Sequence, residues 1–388
     1  MTQTQNDTDA VWQIGVFDAH CHPTDVFSSV EDIAQMKARV LTVMATRSQD
    51  QDLVAEAAKK YPIKSREDLL EGSSTHVLPS FGWHPWFSHE LYNDMDGENT
   101  SALSATEHYR SVLVPAPDDD EEFVDSLPKP RALRQFIEQA ESRLKAFPYS
   151  IVGEVGLDRS FRLPEAWKEE PSSQNGGSEE EFTPGRRGGR GLSPYRVNLD
   201  HQKVVLKAQL ELAAKLQRPV SVHSVQAHGL VFDLMQKMWK GHEKPSKAQR
   251  RKQKASSSSG QAVEDGDSKA NSLPYPPRIC MHSYSGPPDA LKQFFSPSVP
   301  ADIYFSFSSL INFSNPSAEK VTNVIKAVPD DRILVESDFH SAGKKMDEVL
   351  MEIILKICEI KEWSLEEGAK RFKENWVKFV FGERPSTP

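Results

Sequence analysis

The chain has 388 residues, a net charge of −9 and 38% hydrophobic residues, with a pI near 5.8. That balance excludes a surface coated in nucleic-acid-binding charge, though not a local basic patch, and the low apolar share indicates solvated segments diluting an ordinary core. No apolar run approaches a membrane span, the opening MTQTQNDTDA lacks a leader pattern, and Cys21, Cys280 and Cys358 offer neither a disulfide framework nor a CxxC zinc site.

The expectation is a soluble intracellular protein, cytoplasmic, nuclear or both. Its first element is IGVFDAH, residues 14–20, an apolar run leading into two histidines one residue apart. Side chains two apart in an extended segment share a face, so His20 and His22 project together and Cys21 points away. Two neutral imidazoles side by side suit a divalent ion. Further apolar runs stand at VLTVMAT (40–46), HVLPSFGWH (76–84), YSIVGEV (149–155), PVSVH (219–223), RICMH (278–282), IYFSFS (303–308) and RILVES (332–337). Near-continuous apolar runs are what parallel strands buried on both faces require.

Helical patterns lie between these runs. LDHQKVVLKAQLELAAKLQ (199–217) sets Val205, Leu206, Leu210, Ala213 and Leu216 near one face before Pro219 ends it. Ser364 and Glu367 stand at capping-box spacing ahead of the C-terminal amphipathic run. Eight strands alternating with helices predict an α/β fold, a TIM (β/α)8 barrel spanning 1–388 as one domain, with an open doubly wound sheet as the alternative. Three stretches, 93–130, 164–195 and 241–277, are too polar to bury a core and read as mobile surface insertions. Basic runs within them, such as KPSKAQRRKQK, suit nucleic acid or an import signal, while solvated loop charge is the commoner use of such runs.

Mapping metal-capable residues onto the strands gives a pattern. His20 and His22 end the first, Glu154 lies near the end of the fourth, His223 ends the fifth, His282 ends the sixth, and Asp338 follows the eighth. In a barrel these ends converge on the face where chemistry takes place. Four histidines and two carboxylates exceed the needs of one ion, so two divalent ions are expected. His20, His22 and Asp338 take the first, His223 and His282 the second, and Glu154 bridges. Such a pair sits about 3.5–4 Å apart, clamps the attacking and leaving oxygens of a displacement and makes hydroxide available near neutral pH. Asp338 is placed to orient that water and take a proton. Each residue has a bland reading: a backbone-bonded buried histidine, a turn glutamate, a helix-capping aspartate. All six falling at one barrel end by coincidence is much harder to arrange.

FDAHCHPTD, GWHPW, GEVGLD, PVSVHSVQAHG, MHSYSG and LVESD, in this order, together with Gln202, Gln209, Leu212 and Ala213 ahead of RPV, resemble the TatD family of metal-dependent hydrolases, in its fungal branch. The resemblance spans roughly residues 14–380 apart from the insertions. It implies a TIM barrel, a pair of Zn2+, Mg2+ or Mn2+ ions, and phosphodiester hydrolysis on DNA, typically as a 3′ exonuclease acting on single strands or 3′ ends. It also implies the ligand roles above, with Asp338 and Glu154 catalytic. His84 matches a family histidine near the metals that contacts substrate phosphate; the alternative is a packed loop histidine beside Trp83 and Trp86. Two departures stand out. Val225 occupies a position where the family usually carries an arginine, which removes a bidentate phosphate contact. ESDFH replaces ETDAP and leaves His340 beside the site as an extra donor or ligand. Two other functions fit the same residues. One is a small-molecule amidohydrolase-type hydrolase of amides, lactones or phosphotriesters, although a glutamate bridge favours the nuclease. The other is a partner-binding protein using the insertions, since the fungal branch has been linked to a helical-repeat subunit of the anaphase-promoting complex.

Overall fold

The computed structural model describes residues 3–72, 74–95, 103–166, 190–245, 273–314 and 318–383. Eight strands form its main sheet: β1 (Phe17–Cys21), β2 (Val40–Met44), β3 (His76–Phe81), β4 (Ile151–Asp158), β5 (Val220–Val225), β6 (Arg278–Met281), β7 (Asp302–Phe307) and β8 (Ile333–Val335). They pair in chain order, every neighbour parallel. The ring closes just beyond the ladder. Asp338 N–H donates to His20 O at 3.0 Å, and His22 N–H to Phe339 O at 2.8 Å. Asp18 of β1 seals the same seam, its Oδ1 accepting from Ser337 N–H at 3.0 Å and its Oδ2 from the Ser337 hydroxyl at 2.6 Å. The sheet is therefore a barrel, not an open layer.

The polar N-terminus forms a helix, α1 (Gln3–Ile14), which was not expected from its composition; Val11 buries fully and anchors it. α2 (Gln51–Lys60), α3 (Leu133–Ala146), α4 (Leu199–Leu216), α5 (His228–Trp239), α6 (Ala318–Ala327) and α7 (Lys344–Lys361) cover the strands. α8 (Leu365–Phe381) is the last element, and the Ser364 hydroxyl accepts from Glu367 N–H at 3.1 Å to start it. Phe17, Val40, Leu78, Ile151, Cys280, Tyr304 and Leu334 form one cluster with Trp376 and Phe379 of α8. The Phe17 and Trp376 rings lie 5.0 Å apart. Alternation along the strands carries that face from the apolar cluster to ionisable side chains nearer the C-terminal end: Cys280 to His282 and Leu334 to Glu336. The barrel is thus filled below and lined with chemistry above.

Of the strand boundaries that differ from the sequence reading, two have clear local reasons. β3 stops at Phe81 because Pro85 opens a 3-10 turn over Pro85–Glu90. β4 runs on to Asp158, held against β5 with Gly156 opposite His223. A Cβ at Gly156 would sit 1.9 Å from the His223 carbonyl oxygen, so only glycine permits that approach. The insertions also differ from expectation. Tyr109, Val112, Phe123, Leu163, Tyr195 and Val197 pack a small core of their own, and Leu113–Val114 pairs antiparallel with Arg196–Val197. The stretch 93–130, read as too polar for a core, therefore supplies most of one, closed by Tyr195 of 164–195 and by the flanking Leu163 and Val197. Residues 96–102, 167–189 and 246–272 of the three insertions, with most of the basic run, lie outside the described residues.

Candidate metal centre

The six side chains assigned from sequence meet at the C-terminal mouth. Glu154 is at the centre, 3% exposed. Its two oxygens face different histidine pairs. Oε2 lies 3.3 Å from His20 Nε2 and 3.5 Å from His22 Nε2. Oε1 lies 2.9 Å from His223 Nδ1 and 2.8 Å from His282 Nε2. Within each pair the ring nitrogens almost touch, 3.2 Å for His20 and His22 and 3.3 Å for His223 and His282. Asp338 Oδ1 joins the first pair, 3.4 Å from His22 Nε2 and 3.9 Å from His20 Nε2. The strands explain this placement, since His20 and His22 leave β1 on one side and the seam with β8 delivers Asp338 opposite them. Asp338 itself has φ +50, a left-handed conformation that aspartate tolerates better than most residues.

What stands behind each imidazole fixes which nitrogen faces inward. His20 Nδ1 lies 2.9 Å from the Ser221 hydroxyl. His223 Nε2 lies 3.2 Å from Asp158 Oδ2, and His282 Nδ1 is 3.4 Å from Glu336 Oε1. A carboxylate or hydroxyl behind His223 and His20 accepts from the outer nitrogen and turns the lone pair of the other into the site, while Glu336 stands behind His282 without a hydrogen bond to it. Inward lone pairs 3.2–3.3 Å apart repel unless a cation lies between them. Mixed nitrogen and carboxylate donors of this kind fit a divalent ion. One locus would be held by His20, His22, Asp338 and Glu154, the other by His223, His282 and Glu154.

The electrostatics agree. Burial alone would push the Glu154 pKa up, but His84, His282 and His20 hold it well below the carboxylate range. Asp338 is likewise held low by His22, His282 and His20 against its burial. Burial opposes charge on His22, yet Asp338 and Glu154 raise it to about 9. Glu154 and Glu336 raise His282 well above its usual range in spite of burial. His20 moves the other way, lowered by complete burial and by the His282 ring stacked 3.9 Å away. The pocket as a whole favours positive charge.

His84 reaches the centre in another role. Its Nδ1 accepts from Trp86 N–H at 3.1 Å, so the neutral ring carries its proton on Nε2, 3.1 Å from Glu154 Oε1. Burial lowers its pKa to about 4, which keeps that donor neutral. Its ligand-capable atom lies near Glu154 and His223, but the tautomer makes it a hydrogen-bond donor. His340 is exposed beside the Phe339 ring, 4.7 Å between centroids, and belongs to none of the converging groups among the described residues. Val225 ends β5 two residues beyond His223, paired with Asp158 of β4.

Several residues that support the centre were given no role by the sequence reading. Asp158 accepts from His223 and, at 2.7 Å, from the Trp86 indole N–H. Glu336 takes two bonds from Ser283, the backbone one at 2.8 Å. Gln202 and Gln209 lie two turns apart on α4 and clasp loop backbones with their amides. Gln209 binds Trp83 N–H and O at 2.7 and 3.1 Å, and Gln202 binds Asp158 N–H and O at 2.8 and 3.0 Å. Even spacing was the available signal: Asp158 is four residues after Glu154 and Glu336 two before Asp338.

A (β/α)8 barrel with four histidines and two carboxylates around one mouth fits a metal-dependent hydrolase. Within that class the chain belongs to the TatD related DNase family, whose pattern it matches over residues 17–381. It is 37% identical over 366 residues to the Cut9-interacting protein scn1 of Schizosaccharomyces pombe, covering 94% of this chain and 98% of that protein. It is 26% identical over 377 residues to the uncharacterized deoxyribonuclease YMR262W of Saccharomyces cerevisiae, with the same coverage. Its fold resembles the crystal structure of a TatD family hydrolase from Entamoeba histolytica, with TM-score 0.54, 12% identity, and 95% and 99% of the two chains covered.

Proposed function

We propose that this protein hydrolyses phosphodiester bonds at DNA ends with two divalent ions, Zn2+, Mg2+ or Mn2+, sharing Glu154. The observation that carries the reading is the division of labour on that carboxylate, one imidazole pair per oxygen. Ions bound there would polarise a phosphoryl oxygen and acidify water. The chain's own groups complete the chemistry. Asp338 is held ionised and its side chain is 13% exposed toward the cleft, so it can orient a nucleophilic water and accept its proton. His84 donates its neutral Nε2–H to Glu154 Oε1, and a phosphate oxygen entering the cleft would have to draw that donor away from the carboxylate. Asp158 and Ser221 keep His223 and His20 aimed. The deoxyribonuclease name of the budding-yeast relative supports DNA as the substrate.

The test uses full-length protein stripped by chelator and reloaded with each metal in turn. Labelled single-stranded and duplex DNA is assayed beside an ester, lactone and amide panel. Expected is metal-dependent shortening from the 3′ end, lost in Glu154→Gln together with bound metal. Turnover of the small esters with no cutting of DNA would overturn the substrate assignment.

A protein partner is a second, compatible role, favoured by the name of the fission-yeast relative. The small core of the insertions leaves Val114 and Leu192 exposed, a place for such a partner. Val114→Glu with Leu192→Glu should abolish co-purification with a Cut9 counterpart while DNA hydrolysis continues.

A further inference from the structure

Beside His223 the mouth carries groups that the hydrolytic step does not use. Trp86 stays 37% exposed, unusual for so large a side chain next to a buried centre. It is nonetheless held firmly. Its indole N–H donates to Asp158 Oδ2 at 2.7 Å, and its ring lies flat on Phe161, centroids 4.4 Å and planes 10° apart. The indole is 4.7 Å from the His84 ring and 6.0 Å from the His223 ring, centroid to centroid. Asp158 fixes the Phe161 segment as well, its Oδ1 accepting from Ser160 N–H at 2.7 Å, the Ser160 hydroxyl at 2.9 Å and Phe161 N–H at 2.9 Å. Arg159 and Arg162 flank Phe161, exposed and half-buried respectively. Arg159 N–H is bonded to Val225 O at 3.1 Å, so its Cα stands at the end of β5. Neither guanidinium has a carboxylate partner among the described residues.

A rigid, partly open aromatic pair is a surface on which an unpaired base stacks, and an unpaired guanidinium at a segment's edge suits phosphate. We infer that Trp86 and Phe161 hold the base of an unpaired nucleotide next to the scissile bond, with Arg159 on a neighbouring phosphate. The inference rests on the phosphodiesterase reading and deepens it. It makes the substrate a frayed or single-stranded end, because a base inside a duplex stack cannot reach the pair. It also places a guanidinium near the end of β5 although residue 225 is valine.

The test reads binding and stacking. The metal-loaded full chain is titrated with a short oligodeoxynucleotide that carries 2-aminopurine at its 3′ nucleotide and a phosphorothioate at the terminal linkage to slow cleavage. Stacking on the indole quenches 2-aminopurine. Expected is quenching by the wild type, with quenching lost and Kd about tenfold weaker in Trp86→Leu and in Phe161→Leu. Trp86→Phe should keep most of the affinity, separating stacking from the bond to Asp158. An oligonucleotide with an abasic 3′ nucleotide should bind wild type and Trp86→Leu alike, and Arg159→Ala should weaken both oligonucleotides and flatten the salt dependence. Equal affinity of wild type for the two oligonucleotides, or unchanged quenching in both leucine variants, overturns the subsite. If such a protein still shortens DNA, only the subsite is lost. If it cuts no DNA, the phosphodiesterase reading falls with it.

Discussion

Asp158→Asn is nearly isosteric, yet the geometry assigns it a large effect on metal affinity. The carboxylate accepts on both oxygens: Ser160 and Phe161 donors on Oδ1, the Trp86 indole and His223 Nε2 on Oδ2. An asparagine can satisfy only one side. Keeping the three donors of residues 160 and 161 paired turns the amide NH2 toward His223. That NH2 would donate to Nε2 and drive the ring proton onto Nδ1, the atom 2.9 Å from Glu154 Oε1. A nitrogen that should offer a lone pair to an ion would then present a proton. Loss of such a partner lowers metal affinity about 10- to 100-fold, or about 1.4–2.8 kcal/mol. Chelator-stripped wild type and variant would be titrated with Zn2+ or Mn2+ against a competing indicator, with circular dichroism to confirm the fold. Wild-type affinity at both loci in the variant would refute the assignment of the His223 tautomer to Asp158.

Gln209→Ala leaves the buried Trp83 N–H and carbonyl without their partners. Expected is a loss of about 1–3 kcal/mol in denaturant unfolding, and an unchanged midpoint would mean that the clasp contributes nothing. Glu90 is buried, and burial raises its pKa to about 7 although Arg47 and Arg131 pull it down. Since its ordinary value is near 4.3, the folded state binds the extra proton across that interval, so stability falls as pH rises from about 4.5 to 7. Glu90→Gln cannot ionise, and its stability relative to wild type should grow by on the order of 2–3 kcal/mol between pH 5 and pH 8. A gap that stays flat with pH would contradict this.

The convergence of the six candidate ligands on one barrel mouth was legible because strand periodicity and strand order are local signals. His20 and His22 share a face by spacing alone, and the other four follow from where apolar runs end. Asp158 was hidden because the fourth strand was read as ending at 155, before the glycine that lets it continue beside β5. Gln202 and Gln209 stand out in the family resemblance, but their role was hidden: an amphipathic count scores buried glutamines as surface residues, while their value lies in pairing with distant peptide groups. The small core escaped because Tyr109 and Phe123 meet Leu163 and Tyr195 only after the chain has built β4 between them. Such packing is non-local, and composition averages it away. His340 shows the opposite limit, since proximity in sequence to Asp338 did not bring it into a metal-capable group among the described residues.

Anomalous diffraction from crystals of the full chain grown with Zn2+ or Mn2+ addresses the centre itself. Expected are two peaks on either side of the Glu154 carboxylate, one among His20, His22 and Asp338 and the other between His223 and His282. No peak there, with the imidazoles bonded only to Glu154, Asp158 and Glu336, would contradict a shared two-ion centre.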